Sequence, residues 1–160
     1  MPLLRAQLPA DLSVLGRGGS PYDDFGPRSP KTAPAPASLD ADGGLTVLTE
    51  DGQVAGDVSW RWQQWGPNAS SRGPMIGIWL HPDHRGVGLG TRAQAELALL
   101  FFRQTTVNRI EAGTDVQNIA EQRALERAGF RREGTLRGAQ WRDGNYHDCY
   151  LYARLRTDRP

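Results

Sequence analysis

Residues with chemical potential concentrate in one stretch, His81-Pro82-Asp83-His84-Arg85-Gly86-Val87-Gly88-Leu89-Gly90-Thr91, which carries imidazoles, a carboxyl, a guanidinium and three glycines. Glycines at 86, 88 and 90 let backbone N–H groups approach an anion with no Cβ in the way. A helix beginning there adds the unpaired amides of its first turn and the positive end of its macrodipole, roughly 0.3–1 kcal/mol per favourable charge. The chemistry expected of the stretch is phosphate binding, with a pyrophosphate as the natural ligand.

The flanking patterns supply the elements that such a turn needs. Met75-Ile76-Gly77-Ile78-Trp79-Leu80 is short, β-branched and aromatic, bounded by Gly73-Pro74 and Pro82, which predicts a buried strand. Beyond the turn, Ala93, Leu97, Leu100 and Phe101 recur on one helical face, widened by Leu99 and Phe102, which predicts a helix from about Thr91 to Arg103.

Three pyrophosphate readings compete. A nucleoside-triphosphate loop needs Lys and then Ser or Thr after its last glycine, whereas Thr91-Arg92 follows here. A dinucleotide fold wants G-x-G-x-x-G and an acid about twenty residues on. Glu111 stands near that distance, but Thr91 holds the third glycine's place, so an oxidoreductase using Glu111 on a ribose has little support beyond three glycines. The spacing Arg85-x-x-Gly88-x-Gly90 resembles instead the acyl-CoA loop, Q/R-x-x-G-x-G/A, of the GCN5-related N-acetyltransferases (GNAT). Asn118 to Gly134, an Asn-initiated helical pattern ending in Gly129-Phe130 and followed by Glu133-Gly134, resembles that family's second motif in the same order and spacing. With Gly144 to Tyr152, the resemblance narrows to the branch of ribosomal-protein N-terminal acetyltransferases, over roughly Leu45 to Leu155.

The resemblance implies one α/β domain over residues 1–160, with a mixed, mostly antiparallel central sheet flanked by helices and acetyl-CoA as acetyl donor. It assigns cofactor contacts to Leu80, His81, Arg85, Gly86, Val87, Gly88, Leu89, Gly90, Thr91 and Asn118. The amides of 85–91 hold the pyrophosphate, and the strand edge at Leu80 and His81 pairs with the pantetheine arm. Asn118 reads equally as a helix N-cap, with Glu121 as the third-residue acid of a capping box. The implied reaction is direct attack on the thioester by a primary amine, either a protein N-terminus or a small amine such as an antibiotic or metabolite. The enzyme contributes positioning, and a backbone N–H near Leu80 polarises the carbonyl.

Two departures bear on mechanism. Many relatives carry a Tyr four residues before the Gly of the Gly-Phe pair to protonate the leaving thiolate, where this chain has Leu125. Several carry a Glu early in the central strand as base, where this chain has Pro74-Met75-Ile76. Deprotonating an alkylamine of pKa about 10.4 costs roughly 4–5 kcal/mol at pH 7, and an α-amine near 7.8 only about 1. A chain with no evident base suits the α-amine. Asp23, Asp24, His81, His84 and Asp115 are the available bases, with His81 and Asp24 the leading catalytic residues. A non-catalytic acyl-CoA-binding module also accounts for the missing Tyr and Glu.

For the acceptor, Tyr22, Asp23 and Asp24 lie in a loop, Tyr22 to Gly26, which borders the acceptor site in the resembled family or is a solvated turn. Trp60 and Trp62 share a strand face as pocket lining or core. The segment from about 20 to 40 is proline-rich and predicts no regular element, and Ser29 to Asp40 reads as either spacer or something more.

The remaining features bound the class. At 160 residues and 38% hydrophobic, the chain supports one core. Nineteen basic against 18 acidic residues, a net charge of +1, argue against a nucleic-acid partner. No apolar run reaches membrane-spanning length and no signal peptide is evident, so a cytoplasmic protein with no membrane partner is expected. The lone Cys149 reads as a small strand residue, and strand alternation sets His147 and Asp148 on opposite faces, so no metal site is expected. Trp141, Tyr146, Tyr150 and Tyr152, on two closing strands that turn at Arg142-Asp143-Gly144-Asn145, suit either a homodimer contact or monomer core.

Overall fold

The computed structural model describes residues 3–16, 19–27 and 29–158. The outer ends of the expected domain, and Arg28 within the proline-rich segment, lie outside them.

Seven strands form one sheet: β1 (Leu4–Ala6), β2 (Gly43–Leu48), β3 (Val54–Gln64), β4 (Arg72–Leu80), β5 (Arg109–Asp115), β6 (Arg131–Arg142) and β7 (Asn145–Leu155), in the order β1-β2-β3-β4-β5-β7-β6. Every neighbouring pair is antiparallel except β4 and β5. That pair is parallel because a helix, α1 (Leu89–Gln104), carries the chain back between the two strands, as a parallel connection requires. A second helix, α2 (Ile119–Arg127), follows β5.

Both helices cover the same face of the sheet. Ala93, Leu97, Ala98 and Phe101 of α1 and Leu125 of α2 pack there with Val58, Trp60, Ile76, Ile110, Ala112 and Tyr152, most of them fully buried. This is the face that the helical periodicity anticipates. The helix starts at Leu89, two residues before the sequence places it, because Gly88 turns the chain in the left-handed region and serves as N-cap.

At α2 the Asn118 side chain accepts from the Glu121 amide at 3.3 Å. The reciprocal half of the expected capping box is not made: the Asn118 amide donates to the Asp115 carbonyl at 3.0 Å, and the Glu121 carboxyl turns instead toward Gln94. Beyond Gly129, the Phe130 amide returns to the Leu125 carbonyl at 3.0 Å and closes the helix.

Among the described residues the opposite face carries no α-helix. Between β1 and β2 they make a 3-10 turn (Pro9–Ser13) and otherwise run irregularly over the sheet. It is held by single polar contacts. Asp11, 3% exposed, accepts from Arg5 at 2.6 and 2.8 Å, from the Leu8 amide at 2.8 Å and from the Thr46 hydroxyl at 2.7 Å. The Arg5 guanidinium holds this carboxyl well below the usual carboxylate range. Lys31 pairs with buried Asp57 at 2.6 Å, the Ala35 amide donates to Gln7 at 2.9 Å, and the Gly44 amide donates to the Pro36 carbonyl at 3.0 Å. Leu39 is buried in the core. The proline-rich segment is thus a covering layer, and the spacer reading is overturned.

Candidate active site

The site is built where the sheet comes apart. β4 and β5 pair only at Met75 with Glu111 and at Ile76 with Ala112. Both strands then continue, to Leu80 and Asp115, without further pairing, so their C-terminal ends separate. The His81 amide donates to the Ala55 carbonyl at 2.8 Å, and antiparallel alternation therefore turns the backbone groups of Gly77 and Trp79 toward β3 as well. The groups of Ile78 and Leu80 face the gap. The Leu80 carbonyl accepts from Arg85 Nε at 2.8 Å, which leaves the Leu80 N–H and both polar groups of Ile78 directed into the opening.

Above the end of β4 stands the amide cradle. A 3-10 turn at Pro82–His84 returns the Arg85 amide to the Pro82 carbonyl at 3.2 Å, so the cradle begins at Gly86 rather than Arg85. The amides of Gly86 to Thr91 meet no acceptor among the described residues, and the first bond of α1 runs from the Arg92 amide to the Gly88 carbonyl at 3.2 Å. Gly86 and Gly88 sit at φ of 78° and 81°, with nothing within 4 Å of where a Cβ would stand. A side chain at either position would strain the backbone and occupy space a ligand would fill. Gly90 is helical, and a Cβ there would make only an ordinary 3.5 Å contact with Leu80, so its need for glycine is weaker than its place in the motif suggests.

The Arg85 side chain braces the turn. Besides the Leu80 carbonyl, it donates to the Gly19 carbonyl at 2.6 Å. Residues 19–25 then cross to the other strand end: the Tyr22 hydroxyl donates to the Gln117 carbonyl at 3.2 Å, and Arg142 donates to the Pro21 carbonyl at 2.7 Å. Arg142, 3% exposed, also binds the Asp115 carboxylate at the tip of β5 and lies 5.9 Å from the rings of Tyr22 and Phe25. Residues 19–25 therefore form a strap from the end of β4 to the end of β5. Under it, one Asp23 carboxylate oxygen is buried and takes no hydrogen bond from the described residues. Asp24 is exposed and accepts from the Gly26 amide at 3.2 Å. A cavity of about 270 Å³ lies between Asp24 and Phe25 of the strap and Trp141, Arg142 and Asp143 of the β6–β7 hairpin.

The structure brings Tyr22, Asp23 and Asp24 to the strap, and Leu80 and the glycine turn to the gap. His81 stands at the end of β4, its ring edge-on to Trp79 at 6.3 Å and its Nδ1 accepting from the Asp83 amide at 3.4 Å. Its amide is committed to Ala55, so of the expected pantetheine-pairing edge only Leu80 faces the opening.

The tryptophans need correction. Trp60 is 2% exposed, donates to the Ala41 carbonyl at 2.7 Å and meets Phe101 edge-on at 5.4 Å, so it is core and lines no acceptor pocket. Trp62 also packs on Phe101, at 6.0 Å, with Arg72 3.9 Å over its ring. Phe101 lies in the last turn of α1, roughly 18 Å along the helix from the cradle at 1.5 Å per residue. Both tryptophans thus sit away from the gap, while Trp62 lines a separate cavity of about 490 Å³ with Asp42, Gln64 and Arg72.

Tyr152 is also core, its hydroxyl donating to Glu126 at 3.3 Å and its pKa raised first by burial. Trp141 and Tyr146 meet edge-on at 4.8 Å and are exposed. Burial pushes the Cys149 thiol up, consistent with a structural strand residue. His147 faces Asp115 at 3.6 Å while Asp148 accepts from the Gly138 amide at 2.7 Å, so these neighbours point apart. Arg142 as anchor of the strap was not legible, because it lies next to a hairpin turn, where arginines are ordinarily solvated.

Comparison with known proteins places this geometry. A family described as Acetyltransferase (GNAT) domain matches residues 30–131. A probable N-acetyltransferase, YjcK, of Bacillus subtilis is 35% identical over 52% of this chain and 46% of its own length. A putative ribosomal N-acetyltransferase, YdaF, of the same organism is 28% identical over 69% and 58%. The chain thus spans about half the length of these curated relatives. Among solved structures, Mycobacterium smegmatis RimJ in complex with a CoA disulfide superposes with a TM-score of 0.64 at 25% identity, over 72% of this chain and 53% of that one.

Proposed function

The chain belongs to the GNAT acetyltransferase family, and on that footing we propose that it transfers an acetyl group from acetyl-CoA to a primary amine, with the α-amine of a protein N-terminus as acceptor. The observation that carries the reading is the parting of β4 and β5 directly below a run of unpaired amides. The cradle from Gly86 to Thr91 suits the CoA pyrophosphate, with open space at Gly86 and Gly88 for it to approach. An amide-bearing pantetheine arm fits the exposed backbone edge of Ile78 and Leu80, and Asn118 stands at the start of α2 on the other side of the gap.

The residues then have distinct tasks. The Leu80 N–H, held toward the opening by strand pairing, polarises the thioester carbonyl. The strap positions the amine, with the carboxylates of Asp23 and Asp24 for the proton that leaves the nitrogen and His81 as the alternative acceptor, directly or through water. The cavity between strap and hairpin, with Asp24 and Asp143 beside Phe25 and Trp141 and with Arg142 held by the Asp115 carboxylate, suits a peptide terminus. The α-amine is favoured over a lysine side chain by the roughly 3.5 kcal/mol difference in deprotonation cost. Similarity to a putative ribosomal N-acetyltransferase supports the same acceptor class.

The test is a thermal-shift comparison of the full chain with acetyl-CoA, CoA, ATP and NAD(P), followed by CoA-release assays on peptides with free and blocked N-termini. Stabilisation by the CoA species and release only with free N-termini is expected. A shift with NAD(P) alone, or CoA binding with no release across a broad amine panel, overturns the reading.

A further inference from the structure

In a helix, residues four apart share a face. On α2 that pairs Glu121 with Leu125, which is fully buried in the core, so Glu121 faces inward one turn nearer the separated ends of β4 and β5. The residue retains some exposure, but its carboxyl meets the Gln94 side chain on α1. Gln94 is itself 1% exposed and donates to the Gly90 carbonyl at 3.2 Å, in the first turn of α1. A carboxyl group is thus wedged between the two helix starts that flank the gap.

No ion pair reaches it among the described residues. The charged groups on the elements around it are turned elsewhere: Arg92 of α1 to Glu50, Asp115 of β5 to Arg142, Glu126 of α2 to the Tyr152 hydroxyl and Glu133 of β6 to Arg109. Burial without a cation pushes the Glu121 pKa up to about 7, with the Gln94 hydrogen bond opposing the rise. A substantial fraction of the group is therefore protonated at neutral pH.

We propose that Glu121 is the acid that protonates the departing CoA sulfur, an assignment that rests on the acetyltransferase reading above. The amine lone pair forms the C–N bond at the thioester carbonyl, and collapse of the tetrahedral adduct breaks the C–S bond, whose electron pair stays on sulfur. The Glu121 proton passes to that sulfur, giving the CoA thiol and a carboxylate. The nitrogen's surplus proton leaves to the strap side or to solvent, and Glu121 is reprotonated from solvent. A thiol of ordinary pKa, about 8.5, is a weaker acid than such a carboxyl, so the proton moves in the required direction. Leu125, where many relatives carry a Tyr, has no proton to give, and Glu121 supplies one from the preceding turn of the same face.

The experiment compares wild-type, Glu121→Gln and Gln94→Leu chains for kcat and for acetyl-CoA affinity between pH 6 and 9. Glu121→Gln keeps the backbone amide that the Asn118 side chain caps and is expected to lower kcat roughly 100-fold, to abolish the fall in rate at high pH, and to leave acetyl-CoA binding unchanged. Gln94→Leu removes the hydrogen bond that lowers the Glu121 pKa and is expected to move that fall to higher pH. It decides the question if Glu121→Gln does not fold. Wild-type kcat and an unchanged basic limb in both variants overturn the assignment while leaving the acetyltransferase reading standing. Absence of CoA release by the wild type removes the reading and this assignment together.

Discussion

The two faces of the sheet are held by different means. The helical face is mainly apolar: Leu97, Phe101, Ile110 and Leu125 are fully buried, Trp60 and Tyr152 join them, and Gln94 with Glu121 is the polar exception between the helix starts. The opposite face carries buried acids, Asp11, Asp57, Glu111 and Asp115, which pair with Arg5, Lys31, Arg109 and Arg142 respectively. Apolar packing is tolerant of the identity of each contact, whereas the strap face depends on particular donors and acceptors. The acceptor is expected on the second kind of surface, where position is set bond by bond.

That contrast can be broken at either face. The largest effect belongs to the apolar side: Leu97→Ala is expected to cost about 3–4 kcal/mol in urea unfolding, the upper range for a fully buried leucine. A loss below about 1 kcal/mol would show a core more accommodating than its packing implies.

Asp11→Asn is expected to cost about 2 kcal/mol at pH 7, less than a wholly buried pair because Arg5 keeps 29% of its side-chain exposure. Its signature is pH dependence. The Asp11 carboxyl is depressed in the folded state, first by the Arg5 hydrogen bond, so its stabilisation is complete above its unfolded value of about 3.9 and is lost as pH falls below it. Melting curves between pH 2 and 6 should therefore converge for wild type and variant toward the acid end, and a constant gap would contradict the assignment. The smallest effect is expected at Gly88→Ala, about 1 kcal/mol for a left-handed residue that gains a Cβ, together with weakened acetyl-CoA affinity in titration calorimetry. Full stability with unchanged affinity would remove Gly88 from the cradle.

The comparison also marks what could be read from sequence. The strand before Pro82, the glycine turn and the helix after it follow from patterns of a few adjacent residues, because periodicity and the left-handed region are local properties. The motif even located the gap, since Gly86 and Gly88 need their conformation wherever the chain goes. What stayed hidden depends on distant partners. Nothing near Arg142 indicates that it will hold Pro21 and Asp115, and nothing near Pro36 indicates that its carbonyl will receive the Gly44 amide. Trp60 and Trp62 were placed on the correct strand face, but only the third dimension shows that this face meets the far end of α1. Glu121 carried a usable signal, since an acid four residues before a buried leucine must face inward, yet its position at a helix start favours the simpler reading as a cap.

The narrow seam between β4 and β5 has a kinetic consequence. The strands on one side of it, β2 through β4, are consecutive hairpin partners, and β6 and β7 on the other side form a hairpin to which β5 adds. Such neighbours meet early in folding because little chain must be ordered to join them, whereas the seam requires the whole α1 crossover to be in place before its two pairings can form. The gap is therefore expected to assemble last, once the halves on either side of it are already built.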